Sequence, residues 1–192
     1  KWAQTSDGFI DGNFSMPIRI SNDISKTCVH KLRAEEDAIM VGKNTALKDD
    51  PKLGCRRYEG KAPLRIAIDR NLEIPTYYNF YDNAQPTAIF NAHKDDGVRV
   101  KIDFNEDIIP QILDWLYENK IQSLIVEGGK FTLEQFIERG LFDAIQVEIG
   151  STPCYSGVPA PTFSTENLIC EVDKFCDSTF IHYKKVNARN PF

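Results

Sequence analysis

Short apolar runs alternate along this chain with amphipathic stretches, and that alternation carries most of its structural information. Trp2-Ala3-Gln4-Thr5 reads as a first strand, closed by the turn signature Ser6-Asp7-Gly8. Phe9 to Asn13 reads as a short extended piece and a second turn. A loop through Met16-Pro17-Ile18-Arg19 leads to Ser21, a good helix N-cap. Ile20, Ile24, Cys28 and Leu32 recur every four residues and predict one apolar helix stripe. His30, Lys31 and Arg33 near that helix's end suit its macrodipole as cations.

Ala38 to Val41 is an uninterrupted apolar run, expected as a buried strand, and Gly42 permits a sharp exit from it. Asn44 and Thr45 are expected to cap a short helix, which Asp50-Pro51 then breaks. Leu64 to Ile68 and Thr87 to Phe90 read as strands. Val98 to Ile102 alternates and reads as a strand nearer a sheet edge. Asp107 to Asn119 reads as a helix with Pro110 in its first turn and Ile109, Ile112, Leu113 and Leu116 on one face. Ile121 to Val126 is expected to be a central strand. A helix over Thr132 to Arg139 with Gly140 at its end comes next, and then a strand over Ala144 to Ile149. Residues 151–164 read as a long loop. Asn167 to Phe175 and Thr179 to Val186 close the chain as a hairpin around Asp177-Ser178. Strands alternating with helices predict a covered, mostly parallel sheet, and the terminal hairpin makes it mixed. There is no internal repeat or linker, so one domain over 1–192 is expected.

Composition narrows the functional class. The 192 residues carry a net charge of −5 and no long basic run, which argues against a nucleic-acid partner. No apolar stretch approaches the roughly 20 residues that span a bilayer, so no membrane partner is expected. Five cysteines include no C-x-x-C pair, the pattern of reduced thiols in a cytoplasmic protein, and no metal site is expected.

Two stretches carry candidate chemistry. Val41 to Arg56 gathers basic, acidic and hydroxyl side chains at the carboxyl end of a strand, where open α/β sheets bind ligands. Glu127-Gly128-Gly129-Lys130 lies between a strand and a helix. Its glycines let backbone approach a ligand, and the helix start offers free N–H groups suited to phosphate. A carboxylate such as Glu127 at a strand end either has a structural partner or reaches for a ligand's donors. Lys43, Arg33, Arg56, Arg70 and Lys130 are expected near strand or helix ends, where they would suit a phosphate. The alternative for each stretch is an ordinary strand-turn-helix corner.

Taken in order, Thr5-Ser6-Asp7-Gly8, Leu32-Arg33-Ala34, Asp37-Ala38-Ile39, Val41-Gly42, Thr45, Asp49-Asp50-Pro51-x-Leu53-x-x-Arg56 and Val126-Glu127-Gly128-Gly129 resemble the pyrimidine reductase of riboflavin biosynthesis. This is the reductase part of the bifunctional deaminase-reductase, and the likeness runs from Trp2 to about Gly157. It implies a three-layer dihydrofolate-reductase-like fold, with a mixed, mostly parallel central sheet flanked by helices and an antiparallel C-terminal hairpin. It implies NADPH as cofactor and reduction of the ribosyl group of 5-amino-6-(5-phosphoribosylamino)uracil to a ribityl chain. By position, Ala3, Thr45, Asp49, Gly129, Lys130, Phe131, Thr132 and Leu133 would line the cofactor. Arg33, Leu53, Arg56 and Glu127 would hold the phosphorylated pyrimidine-ribose, and Asp49 would shape the proton step. The resemblance also implies a homodimer.

The chain departs from the family at several positions. Phe9 stands where Lys or Arg is usual, Arg19 where a Trp is common, and Pro17 and Arg70 where Ser occurs. Arg19 and Arg70 are each either a partner of the NADPH 2′-phosphate or a surface charge. The zinc-deaminase pieces H-x-E and P-C-x-x-C are absent from these residues, so no deamination is expected of them. Two rival readings remain: a dihydrofolate-reductase-like enzyme on another substrate, and a nucleotide-binding domain without catalysis.

Overall fold

A computed structural model describes residues 1–12 and 18–186. In chain order the elements are β1 (Trp2–Gln4), β2 (Phe9–Gly12), α1 (Asp23–Glu35), β3 (Ala38–Gly42) and α2 (Lys43–Asp49). Next come β4 (Leu64–Ile68), β5 (Thr87–Asn91), β6 (Arg99–Lys101), α3 (Ile108–Glu118), β7 (Leu124–Gly128) and α4 (Lys130–Glu138). The chain ends with β8 (Ala144–Ile149), β9 (Gly157–Pro159), β10 (Leu168–Phe175) and β11 (Ser178–Lys185). These residues form two compact units, Thr27–Thr132 and Lys1–Lys26 with Leu133–Phe192.

The unit Thr27–Thr132 holds five strands in the order β6-β5-β4-β3-β7, each pair parallel. Ala38, Ile39, Met40 and Val41 are all buried, as a strand without polar alternation requires when both sheet faces are covered. Their neighbours Ile66, Ala67, Ala88, Ile89 and Phe90 are equally buried. One core cluster joins Ile39, Val41, Ala67 and Ile89 to Ala46 of α2 and to Leu53, Ile74 and Phe80 from the connecting segments. Each large side chain there contributes about 1.5–3 kcal/mol by leaving water. Strand β6 lies at one edge, as its alternation predicts.

Strand β7 differs from the expectation in place and extent. It lies at the other end of this five-stranded sheet, and it begins at Leu124 rather than Ile121. The reason lies in α3. Lys120 takes a left-handed φ of 61°, and the Ile121 N–H donates to the Leu116 carbonyl at 2.9 Å, so Ile121 closes the helix. The β3–β7 register also slips once. Met40 pairs with Val126 and Val41 with Gly128, which leaves Glu127 as a bulged residue.

Two helix starts also differ from expectation. Helix α2 begins directly at Lys43, with Gly42 as an extended N-cap and no side-chain cap, so Asn44 and Thr45 lie inside the first turn. Its end is as expected: Asp50 leaves the helix at φ 38° just before Pro51. Helix α4 starts at Lys130, two residues before the predicted Thr132. It ends on Gly140 (φ 64°), whose N–H donates to the Ile137 carbonyl while that of Leu141 donates to Phe136.

In the other unit, β1-β8-β11-β10 form a mixed sheet: β1 runs parallel to β8, and β8, β11 and β10 are antiparallel. The hairpin turn falls at Cys176-Asp177, because Phe175 pairs with Ser178. The stretch expected as a plain loop contains β9, which pairs with β2. Only glycine allows that approach, since a Cβ on Gly157 (φ 154°) would overlap the Asp11 carbonyl. Asn22, not Ser21, caps α1: its Oδ1 accepts from the Ser25 N–H at 2.8 Å, while the Ser21 hydroxyl donates to buried Glu148 at 2.8 Å. The inward face of α1 is likewise rotated from the four-residue stripe. Ile24 is exposed, whereas Ser25, Val29 and His30 are buried. Four-residue steps drift around a 3.6-residue helix, and the stripe traces that drift rather than the buried face. Asn13 and Pro17 lie outside the described residues.

Candidate active site

Because all five strands of the Thr27–Thr132 unit are parallel, their carboxyl ends share one sheet edge. Strands β3 and β7 are neighbours about 4.8 Å apart, so Gly42 and the Gly128-Gly129 pair stop side by side. Two threonine hydroxyls close in on these glycines. A Cβ at Gly42 would lie 2.5 Å from Thr132 Oγ1. At Gly128 and Gly129 it would lie 3.5 and 3.4 Å from Thr45 Oγ1. Gly129 takes φ 60°, which a side chain would strain. Bare backbone, two hydroxyls and the first turn of α4 make a cradle suited to phosphate oxygens.

Beside it lies a charge pair. The Glu127 bulge sets its carboxylate against Arg33 of α1. Arg33 Nε donates to Oε1 at 3.2 Å and Nη2 to Oε2 at 2.6 Å, with the side chains only 14% and 9% exposed. The remaining arm of the fork, Nη1, donates to the Gly54 carbonyl at 3.3 Å. Leu53, buried at φ 55°, and Gly54 turn the chain here, and exposed Arg56 comes two residues later. His30, one turn before Arg33 on α1, also hydrogen-bonds Gly54. It is no helix-end cation. Burial first, then the charges of Arg33 and Arg56, pull its pKa from 6.5 to about 4, so the imidazole is neutral. The sequence signal is the His30/Arg33 spacing of three, which puts both on one helix face.

The other expected site residues are dispersed. Asp49 is exposed at the end of α2, on the same face as Thr45 and about 6 Å further along the axis. Its neighbour Asp50 is structural: Oδ1 accepts the Asn79 N–H and its carbonyl accepts the Asn79 amide, both at 2.7 Å. Arg70, just past β4, sets its guanidinium 5.7 Å from the centre of the Phe104 ring. It lines a cleft of about 590 Å³ with Ala92, Lys101, Asp103 and Gln111. Lys130 and exposed Phe131 open α4. Ala3, Arg19 and Leu133 belong to the other unit. There Ala3 pairs with Glu148, Arg19 lies 3.9 Å from Asp23 on the surface, and Leu133 is buried. In that unit the Thr5-Ser6-Asp7-Gly8 motif is a clamp. Thr5 Oγ1 donates to Asp7 at 2.6 Å, and Asp7 accepts the Cys154 and Tyr155 N–H groups at 2.9 and 2.7 Å. The Thr5 hydroxyl foremost, then the Cys154 amide, hold the Asp7 carboxyl below its usual range.

The family described as RibD C-terminal domain matches residues 1–163, a span that contains every one of these groups. The chain belongs to that family. Among relatives, the riboflavin biosynthesis protein RibD of Aquifex aeolicus is 37% identical over 161 residues, covering 78% of this chain and 44% of its own length. The chain thus spans less than half of that relative. The 2,5-diamino-6-ribosylamino-4(3H)-pyrimidinone 5′-phosphate reductase of Archaeoglobus fulgidus is 29% identical over 194 residues, with 90% of this chain and 85% of that protein covered. Among solved structures, the Thermotoga maritima diaminohydroxyphosphoribosylaminopyrimidine deaminase/5-amino-6-(5-phosphoribosylamino)uracil reductase superposes at TM-score 0.81 and 23% identity, over 96% of this chain and 55% of that one. Dihydrofolate reductase from Enterococcus faecalis superposes at TM-score 0.56 and 13% identity, over 97% and 94%. The fold of this RibD C-terminal domain family member is therefore α/β and dihydrofolate-reductase-like, as the order of its motifs implies.

Proposed function

We propose that the chain reduces the ribosyl group of 5-amino-6-(5-phosphoribosylamino)uracil with NADPH, yielding the ribitylamino compound of riboflavin biosynthesis. The observation that carries this reading is the Arg33–Glu127 pair standing beside the Gly42/Gly128/Gly129 cradle on one sheet edge. A cation fork and bare glycine backbone at a helix start are what a phosphorylated sugar and a dinucleotide need.

We assign Thr45, Gly129, Lys130, Phe131 and Thr132 to the cofactor, with Asp49 and Arg70 as further contacts. Bound NADPH supplies the hydride that reduces C1 of the open, imine-like sugar. The chain's own residues bind and orient. Arg33 and Arg56 hold the substrate phosphate, Leu53, whose side chain is in the core, holds the substrate through its backbone, and Glu127 accepts from its hydroxyl or pyrimidine donors. Asp49 shapes proton delivery to the sugar-bearing nitrogen. Residues 1–192 act as a single reductase domain, which the family match across both units supports. Five free thiols support a cytoplasmic setting. Strand β10 ends its sheet with Ile169 and Val172 exposed, which supports a homodimer through that edge.

The second reading is reduction of 2,5-diamino-6-ribosylamino-4(3H)-pyrimidinone 5′-phosphate, favoured by the 85% span of the archaeal relative. NADPH oxidation measured with each pyrimidine, and with dihydrofolate as control, decides between them. Turnover with the uracil compound at the higher kcat/KM is expected. Turnover with dihydrofolate alone, or cofactor binding without any turnover, would overturn the assignment.

A further inference from the structure

Beyond the residues assigned above lies a buried group with an unexplained atom. His30 is 4% exposed, and its Nδ1 has no hydrogen-bond partner. The other ring nitrogen is committed: it donates to the Gly54 carbonyl, the same oxygen that receives Arg33 Nη1 at 3.3 Å. Two donors from one face of α1 therefore fix a single peptide. Immediately after that peptide the chain makes a tight turn. The Tyr58 N–H donates to the Cys55 carbonyl at 2.8 Å, which makes Arg56 and Arg57 the two central residues of a β-turn. Cys55 is buried and its thiol donates to the Gly60 carbonyl at 3.3 Å, so the turn is anchored at both sides. Both arginines are exposed at its tip.

We propose that His30 is a positioning residue for substrate binding, and that the turn it secures presents Arg57 as well as Arg56 to the substrate's phosphate. This rests on the reductase reading for the identity of the ligand, but not for the presence of an anion grip. The chemistry favours a dianionic phosphate. Arg33, Arg56 and Arg57 all act on the imidazole and oppose a positive charge there, so three guanidinium groups crowd one neutral ring. Arg33 is already answered by Glu127, and a phosphate dianion at the turn would be met by the exposed guanidinium groups of Arg56 and Arg57. A neutral imidazole suits this place because it donates to Gly54 without adding a fourth charge. A lysine or arginine at position 30 would donate equally well and worsen the crowding. The bare Nδ1 is a consequence of the same arrangement, since the ring's one proton is used on Gly54.

The test uses three variants and one probe. His30→Phe keeps the ring volume and removes the donor; it should raise KM for the phosphorylated pyrimidine at least tenfold and leave the NADPH Kd within twofold. His30→Gln, whose amide reaches the Gly54 carbonyl, should return KM to within threefold of the parent. Arg57→Ala should raise KM as His30→Phe does, with kcat little changed. Inorganic phosphate, with NMR of the His30 ring as readout, should raise the imidazole pKa in the parent and not in Arg57→Ala. An unchanged KM in folded His30→Phe, or Gln no better than Phe, would overturn the role. If His30→Phe does not fold, the phosphate titration decides, and an imidazole indifferent to phosphate overturns the grip. A phosphate response in a protein that turns over neither pyrimidine would retain the grip and discard the reductase assignment.

Discussion

Glutamate 127 is where stability and the proposed activity meet, and its removal has a calculable cost. Its carboxylate and the Arg33 guanidinium form two charge-assisted hydrogen bonds with side chains 9% and 14% exposed. Deleting one partner of a fully buried pair costs about 3–5 kcal/mol, chiefly because the other charge is left stranded. The small residual exposure places Glu127→Ala at the lower end, about 3 kcal/mol, and Glu127→Gln, which keeps an acceptor, at about half of that. For a chain of this size each kcal/mol shifts Tm by roughly 2–4 °C, so a drop of about 6–12 °C is expected for the alanine variant. A domain stable by about 5–15 kcal/mol survives this and can be assayed folded. The double variant Arg33→Met/Glu127→Leu removes both charges and should recover most of the lost stability while leaving reductase activity undetectable. Thermal and urea unfolding of the parent, Arg33→Met, Glu127→Leu and the double variant close the cycle, and a coupling of about 2 kcal/mol is expected. Additive single costs, or singles each under about 0.5 kcal/mol, would refute the claim that the pair is desolvated and mutual.

Other parts of the site are open to equally direct measurement. Gly42→Ala drives a Cβ to 2.5 Å from Thr132 Oγ1 and should cost about 1–3 kcal/mol in urea unfolding, with Thr132→Ala relieving it. NADPH affinity should fall in the same variant. Arg56→Ala should weaken pyrimidine binding far more than NADPH binding in separate titrations; equal losses would remove Arg56 from the substrate. The imidazole of His30 is held at about 4 against 6.5 unfolded, so the unfolded chain takes the proton first. Its contribution to stability is complete above about pH 6.5 and is lost as the pH falls toward 4. His30→Gln should flatten the stability-pH curve in that window.

The sheet of the Thr27–Thr132 unit is legible in the sequence because its signal is local. Ala38 to Val41 is an apolar run bounded by polar residues, and burial on both faces leaves such a run no other reading. The features that escape depend on partners distant in the chain. Asn22 rather than Ser21 caps α1 because Ser21's hydroxyl is taken by Glu148, far along the chain. Strand β9 exists because Gly157 can meet the Asp11 carbonyl, and nothing near Gly157 announces it. The order of residues presents Glu127 as a carboxylate just past its strand, whereas it is a bulge within it, and a register slip leaves no mark in composition. Helix ends favour cations, and His30 near the end of α1 looks like one. Burial first, and then guanidinium groups that come partly from the 53–57 segment, keep it neutral, and helix periodicity cannot see either.

The slip in the β3–β7 ladder has a consequence for anyone altering loop lengths here. Shortening the chain by one residue between Leu124 and Gly128 would let every peptide zip to its neighbour, and the sheet would become more regular. It would also swing the acid out of reach of the α1 guanidinium. A sequence optimised for a tidy backbone would drift toward that shortened form, so the irregularity is better treated as a fixed dimension of the fold than as a defect to repair.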